Sequence, residues 1–412
     1  MAHVEFVPVD CRQRSVVSVD YCKLVCCNDG RVHLYVSAHE VTRAACNNAY
    51  AASLRIHNES LKLMKTVSFA HLQQFITNAF VKLGMPDADA QTMGALMAEA
   101  DLQGSDGHGV IRMVPYARRI RAGGVNVRPQ IKIVQERVGM ALVDGDNGMG
   151  HLVMKRAAEI AVEKARVTGI AWVGSQWSNH AGPASLYARM ALPHDMIGLY
   201  FAVGNANHLP PWGGLDMLLS TNPIAVAVPS GNAGPIVLDM ATTVAAYGKV
   251  KAKAQRGEMM PEGWMIDRSG QPLLDPKRAE EGFLMPIGGY KGYGLSLIVG
   301  LLAGTLNGAA MGKEVIDFNH DDTTATNTGQ AICMIDISAF GDVDAFKARV
   351  DTLAHDLRAS ERMTGVPRIW VPGEQSEARR VHYAAEGIPV APALWTQLDT
   401  LAVELGIAPL GD

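Results

Sequence analysis

Excess positive charge is missing from this chain: 37 Lys and Arg face 41 Asp and Glu, for a formal net charge of −4. There is therefore no electrostatic ground for a nucleic-acid partner or an acidic membrane surface. No apolar run reaches the roughly 18 residues needed to span a bilayer. The longest, around Leu295 to Leu306, is broken by Gly300 and Gly304 and reads as a buried helix. Cysteine is scarce past the start: Cys11, Cys22, Cys26, Cys27 and Cys46 precede residue 64, and only Cys333 follows. Their spacing matches no zinc site. No Gly-x-Gly-x-x-Gly fingerprint and no P-loop occurs, so a nucleotide, if bound, is held in another way. The start carries Glu5 and Asp10 and no uninterrupted apolar stretch, so no signal peptide is expected. A cytoplasmic setting with free thiols is the expectation.

What is present is the composition of a soluble enzyme. The chain has 412 residues, 48% hydrophobic and 19% charged, enough for two or three domains or one large α/β domain with additions. Residues 1–63 show neither a sustained helical period nor a clear hairpin, with one short strand at best around residues 31–36. They read as a poorly ordered extension, an upstream reading of the start site. From Met64 the texture changes. Ser68 is a plausible N-cap, and Phe69, Leu72, Phe75, Ile76, Ala79, Phe80 and Leu83 recur at helical spacing before Gly84. Pro86-Asp87 starts the next helix.

The most informative stretch is Asp101-Leu102-Gln103-Gly104-Ser105-Asp106-Gly107-His108-Gly109-Val110-Ile111-Arg112, followed by Tyr116. A helix runs into a flexible cluster that presents His108. If Gly109 opens a second helical segment, His108, Arg112 and Tyr116 fall four apart on one face. Arg112 can grip a carboxylate with two hydrogen bonds, and His108 can move a proton near neutral pH.

After Tyr116 strands and helices alternate, which argues for a layered α/β architecture. Strands fall around residues 131–134 and 141–144, a helix spans 151–166, and a buried strand covers 170–174. Ser178-Asn179-His180-Ala181-Gly182 follows, so His180 sits at a strand-to-helix crossing, where open sheets place ligands. A helix is expected over residues 184–190, and strands over 197–203, 224–228 and 236–239. Met240-Ala241-Thr242-Thr243 is expected to begin a helix whose free N–H groups suit a phosphate, with Asp239 accepting hydrogen bonds from a ribose or from the backbone. Gly288-Gly289-Tyr290-Lys291-Gly292-Tyr293-Gly294 lets backbone approach a ligand closely, and Lys291 can neutralise a phosphate or carboxylate. A Schiff-base lysine is the competing chemistry, without accompanying features. Asp317 to Asp322 reads as a solvated turn, and no metal is expected. Helices over residues 346–357, 374–386 and 393–405 complete the chain, the first packing back on the N-terminal helices.

Taken together, residues 101–112, Ser178 to Gly182, Pro210-Pro211-Trp212-Gly213-Gly214, Thr221-Asn222-Pro223, Leu238 to Thr242, Gly288 to Leu295 and Val371-Pro372-Gly373-Glu374 resemble the malate/L-lactate dehydrogenase family. That family is distinct from the Rossmann-type dehydrogenases and includes ureidoglycolate, sulfolactate, diketogulonate and cyclic-imine-carboxylate oxidoreductases. The resemblance runs from Met64 to about Leu405 and leaves residues 1–63 outside.

The resemblance implies a three-layer, non-Rossmann α/β fold around a mixed sheet, with a helical domain built from both chain ends. Residues 64–125 plus 341–412 would form that helical domain and residues 126–340 the cofactor-binding domain. It implies an oxidoreductase using NAD or NADP, a small carboxylate substrate and a homodimer. His108 or His180 is the expected proton-transferring residue, and Arg112 anchors the substrate, helped by Tyr116 and Asn222. The cofactor is expected at Asp239, Met240, Ala241, Tyr290, Lys291, Gly373, Glu374 and Asn205. Gly107 stands where the family commonly has Ser, a departure that bears on the substrate. A cyclic-imine reductase and a non-catalytic anion-binding relative are the alternatives.

Overall fold

Ser68 caps the first helix as the spacing predicts, its hydroxyl accepting the His71 amide at 3.2 Å. The computed structural model describes residues 64–411, together with strands at Val4–Glu5, Ser15–Val19, Cys22–Cys26 and Val32–Val36. Those four strands pair as an antiparallel sheet, including hairpins that the sequence reading did not expect. The segments are rich in Val, which favours strands. The remainder of the extension, and the expectation that it is poorly ordered, lie outside the described residues.

In chain order come β1 (Lys65–Val67), α1 (Phe69–Lys82), α2 (Asp87–Leu102) and α3 (Met113–Arg121). Then follow β2 (Lys132–Arg137), β3 (Met140–Asp144), α4 (Gly150–Thr168), β4 (Ile170–Ser178), β5 (Met196–Ala202), β6 (Ile224–Val228) and β7 (Ile236–Met240). The second half holds α5 (Tyr247–Arg256), α6 (Tyr290–Ala303), β8 (Thr328–Asp336), α7 (Val343–Ala359), α8 (Glu374–Glu386), β9 (Ile388–Val390) and α9 (Pro392–Leu405).

Seven strands form the central sheet in the order β7-β6-β5-β8-β4-β3-β2. Only β3 and β4 run parallel, joined by α4; the other pairs are antiparallel, so the sheet is mixed. α4 covers one face, its Val153, Met154, Ala157 and Ala161 packing with Val173, Ile332 and Met334. α6 and the turn after it cover the other, where Gly329 lies against the Ala303 carbonyl and Gly174 against Asn307. Helix, sheet and helix make three layers.

Both chain ends build a second core. β9 pairs with β1, Ile388 opposite Val67. Leu72, Phe75, Phe80, Met93 and Met97 from α1 and α2 pack with Trp395, Leu398 and Leu401 from α9. Arg119, only 1% exposed, links α3 to the loop before β8. Its guanidinium donates to the carbonyls of Asp321, Gly124 (3.3 Å) and Thr324 (2.9 Å).

Several expectations need correction. Residues 241–246 are not helical, because neighbouring segments use their backbone. The Thr242 amide donates to Thr221 O (2.9 Å), Val244 to Met285 O (2.8 Å), and Thr242 O accepts from Ile287 (3.0 Å), so the helix starts only at Tyr247. The helix over residues 184–190 is one α-turn, Ser185–Ala188, followed by a 3-10 stretch that contains Pro193. α6 is buried on one side only: Gly292, Ser296, Gly300 and Ala303 face inward, while Leu295, Ile298 and Leu301 are exposed. α7 docks on the turn at residues 231–233, not on the N-terminal helices; Asp351 accepts three backbone amides there.

Replacing Arg119 with Met leaves buried carbonyls without a donor. This costs about 3 kcal/mol of stability, read as a lower midpoint in urea denaturation with an unchanged slope.

Candidate active site

The site begins where α2 ends. Asp101 is buried, and its carboxylate accepts the Val110 amide at 2.7 Å. This bond folds residues 103–109 back over the helix end and starts the 3-10 turn Val110–Arg112, which runs into α3. Gly109 lies directly on that carboxyl, and any Cβ there would fall inside contact distance of Asp101. His108 therefore precedes the helix, and the turn, not a continuous helical face, brings it beside Arg112 and Tyr116. The Arg112 Nε donates to Gly107 O at 2.7 Å, and among the described residues no carboxylate pairs with its guanidinium.

His180 arrives from the end of β4 and joins them. Tyr116 Oη lies 2.5 Å from His180 Nδ1. The rings of His108 and His180 stack at 5.5 Å and 5°, and Phe318 stacks on the far side of His180 at 5.4 Å and 6°. Arg112 lies over the Phe318 ring at 5.5 Å. The loop bearing His180 is fixed from below: Asn179 Nδ2 donates to Asn147 O and Gly148 O, and Gln330 Nε2 donates to Asn179 O at 2.8 Å. Thr326 completes the brace through Ser178 O and Asn179 Oδ1. One guanidinium, two imidazoles and a phenol thus converge, and they suit holding a carboxylate while moving a proton beside it.

The residues expected to hold a cofactor divide into groups. Asp239 and Gly373 share a cavity of about 310 Å³ with Ser185, Arg189, Gln375 and Arg379. Asp239 accepts the Ser185 amide at 2.8 Å, and the 371–373 turn lies flat on β7, with Pro372 O accepting from Val237. A carboxylate acceptor, two arginines and the first turn of α8 fit the ribose hydroxyls and phosphates of a dinucleotide. Met240 and Ala241 follow Asp239 at the end of β7. Glu374 braces this turn, accepting from the Val371 amide (2.7 Å) and Arg358 (2.8 Å). Tyr290 and Lys291 open α6, both exposed, and the structure does not bring them into that cavity. Asn205 and Asn222 are buried supports: Asn205 donates to Thr328 and its carbonyl accepts from Phe318, while Asn222 bonds Gly204 and Ser296.

The model of the malate/L-lactate dehydrogenase family matches residues 67–399. The chain belongs to that family. It is 36% identical over 348 residues to a malate dehydrogenase of Pyrococcus abyssi, covering 82% of this chain and 94% of the relative. It is 35% identical over 335 residues to an L-sulfolactate dehydrogenase of Methanocaldococcus jannaschii, covering 81% and 96%. A solved malate dehydrogenase from Pyrococcus horikoshii superposes with a TM-score of 0.77 at 33% identity, covering 84% of this chain and 97% of that one. This member of the dehydrogenase family is therefore an oxidoreductase with the family's non-Rossmann fold.

Three residues of this candidate site had no local signal. Phe318 sits inside an acidic turn, where a lone aromatic looks like loop filler. Asp101 looks like an ordinary helix-end acid. His151 reads as one residue in a helix start, yet it is fully buried and meets Tyr116 edge-on at 6.0 Å and 81°. A feature that could have pointed to Asp101 is the Gly109 that must lie on it.

Electrostatics follow from burial. Desolvation, and next the Arg112 charge, pull the His108 pKa down to about 3. Desolvation pulls His151 to about 3, with a smaller contribution from His108. His180 is lowered well below the usual range by burial, then Arg112, then the two other histidines. Burial raises the Tyr116 phenol, with Arg112 opposing. Asp101 is pushed well above the carboxylate range by burial, against the pull of the Val110 amide. Asp239 shifts upward too: solvent reaches its edge, but protein crowds the carboxyl.

Two outcomes test this construction. Gly109→Ala forces the turn off Asp101 and loses both stability and the site, whereas Gly107→Ser, with no atom near its Cβ, keeps the wild-type melting temperature. The three histidines have folded pKa values below their unfolded ones, so the unfolded chain takes up protons first and stability falls as pH drops below about 6.5. Asp101 and Asp239, with raised values, act in the opposite sense, so the check is by difference. His108→Gln should lose less stability than the wild type between about pH 7 and about pH 5 in urea titrations.

Proposed function

We propose that this enzyme is a nicotinamide-dependent oxidoreductase of a small 2-hydroxy or 2-oxo carboxylate. The observation that carries the reading is the half-buried Arg112 beside the Tyr116–His180 hydrogen bond. A bound nicotinamide supplies the hydride chemistry; Asp239, Ser185, Gly373 and Arg379 are the residues proposed to hold the rest of the dinucleotide. Whether it is NAD or NADP follows from the assay below.

Arg112 has its Nε fixed by Gly107 O, which aims the planar end of the guanidinium for a carboxylate. His180 is the proposed proton carrier. Its Nδ1 is occupied by Tyr116, so Nε2 is the nitrogen available to a substrate hydroxyl or carbonyl oxygen. In the oxidising direction, neutral His180 accepts the hydroxyl proton at Nε2 while its Nδ1–H donates to the Tyr116 oxygen. In the reducing direction the same proton returns to the oxygen. A carboxylate bound by Arg112 cancels the second-largest force holding His108 and His180 uncharged, so substrate binding lifts their pKa toward working pH. His108, stacked on His180, limits ring rotation and excludes water from one side.

The test follows absorbance at 340 nm with NADH and NADPH in turn, against 2-oxo carboxylates and cyclic imine carboxylates. Turnover of a 2-oxo acid is expected, with His180→Ala lowering kcat by about a hundredfold or more. Arg112→Lys should raise KM roughly tenfold, about 1.4 kcal/mol. Turnover confined to imines would move the reading to C=N reduction. Absence of both turnover and cofactor binding would overturn it.

A further inference from the structure

His151 is the second residue of α4, and its imidazole is wholly buried. Both ring nitrogens are shielded and, among the described residues, neither has a hydrogen-bond partner. A buried donor and acceptor left unpaired are costly, and an apolar ring of the same shape would avoid that cost. Room is nonetheless made for this ring. Gly182, at φ +74°, faces it, and a Cβ there would come within 2.9 Å of Nε2. Tyr116 meets the ring edge to face.

The groups around it come from three elements. Tyr116 projects from α3, His180 from the loop after β4, and His108 from the turn before α3. Tyr116 is thus held between two imidazoles: one bonds its hydroxyl, the other packs on its ring.

We propose that His151 is a positioning residue for proton transfer, an uncharged ring that fixes Tyr116 so that its hydroxyl meets His180 Nδ1. The inference rests on the reading of Tyr116–His180 as the proton-transferring pair. With Tyr116 fixed, the Nδ1 partner of His180 is fixed, and so is the state of the Nε2 that faces substrate.

The experiment compares full-length wild type with His151→Phe and His151→Gln in three readouts: melting temperature, kcat and KM, and the 15N shifts of the His180 ring. His151→Phe should hold or raise the melting temperature and leave KM within about twofold, yet lower kcat by on the order of tenfold to a hundredfold. The His180 nitrogen shifts should move toward a mixture of tautomers, and His151→Gln should recover part of kcat. Unchanged kcat in His151→Phe, or a joint fall of melting temperature and activity in both variants, would mean core packing alone and overturn the inference. If the wild type turns over nothing with either nicotinamide, the functional reading fails by itself. The ring shifts of His180 then decide for His151, and identical shifts in wild type and His151→Phe overturn its role.

Discussion

Desolvation is the constraint on which this site depends. A guanidinium, a phenol and three imidazoles gather at the seam between the α-helical core and the central sheet, the phenol and the His151 ring buried and Arg112, His108 and His180 half-buried. In water each ring would titrate near its ordinary value and turn freely. Poorly solvated in the cluster, the histidines are held neutral, the phenol is held protonated, and Arg112 is the fixed charge. A half-desolvated cation gains when an anion joins it, and this favours an anionic ligand.

Such a cluster needs a stiff frame, and the frame is assembled from distant parts of the chain. α2 and α3 bring His108, Arg112 and Tyr116; β4 brings His180; the loop before β8 brings Phe318. Arg119 ties α3 to that loop through backbone carbonyls, so the element bearing Arg112 and the element bearing Phe318 move together. Beneath His180, Asn179 and Gln330 join three strands' worth of polar groups into one network, with Ser175 bonding Gln330 at 2.9 Å. Fully satisfied buried amides of this kind specify one arrangement more sharply than apolar packing does. The pairing of β9 with β1 closes the helical core by joining the two ends of the matched region.

Much of this was legible in local pattern. The Ser68 cap, the period of α1, the β-α-β passage through α4 and the strand at residues 224–228 follow from propensity and spacing alone. The chemistry of His108, Arg112 and Tyr116 was legible as an anion and proton site, but its geometry was not. A four-residue spacing suggested one helical face, whereas Asp101 pins Val110 and inserts a 3-10 turn. His180 was legible as a residue at a sheet crossing. Its bond to Tyr116 spans 64 residues and has no local signature. The missing helix at residues 241–246 has the same origin, since hydrogen bonds to the carbonyls of Thr221 and Met285 outweigh local preference. Motif resemblance carried the dehydrogenase reading, and tertiary contact showed how Asp239 and Gly373, far apart in sequence, line one cavity.

The proton count gives the last step. Arg112 leaves the resting cluster with a charge of one, and a single carboxylate neutralises it. Protonating His180 before the substrate arrives would place a second cation beside Arg112 in the same poorly solvated space. Protonating it afterwards places the cation beside a neutral ion pair. Binding and protonation are therefore coupled in sign: the anion makes the acid. A neutral substrate of the same shape would find His180 able to accept a proton but poorly able to give one. On the proposed reading, reduction of an oxo group depends on the carboxylate next to it for the proton as well as for orientation.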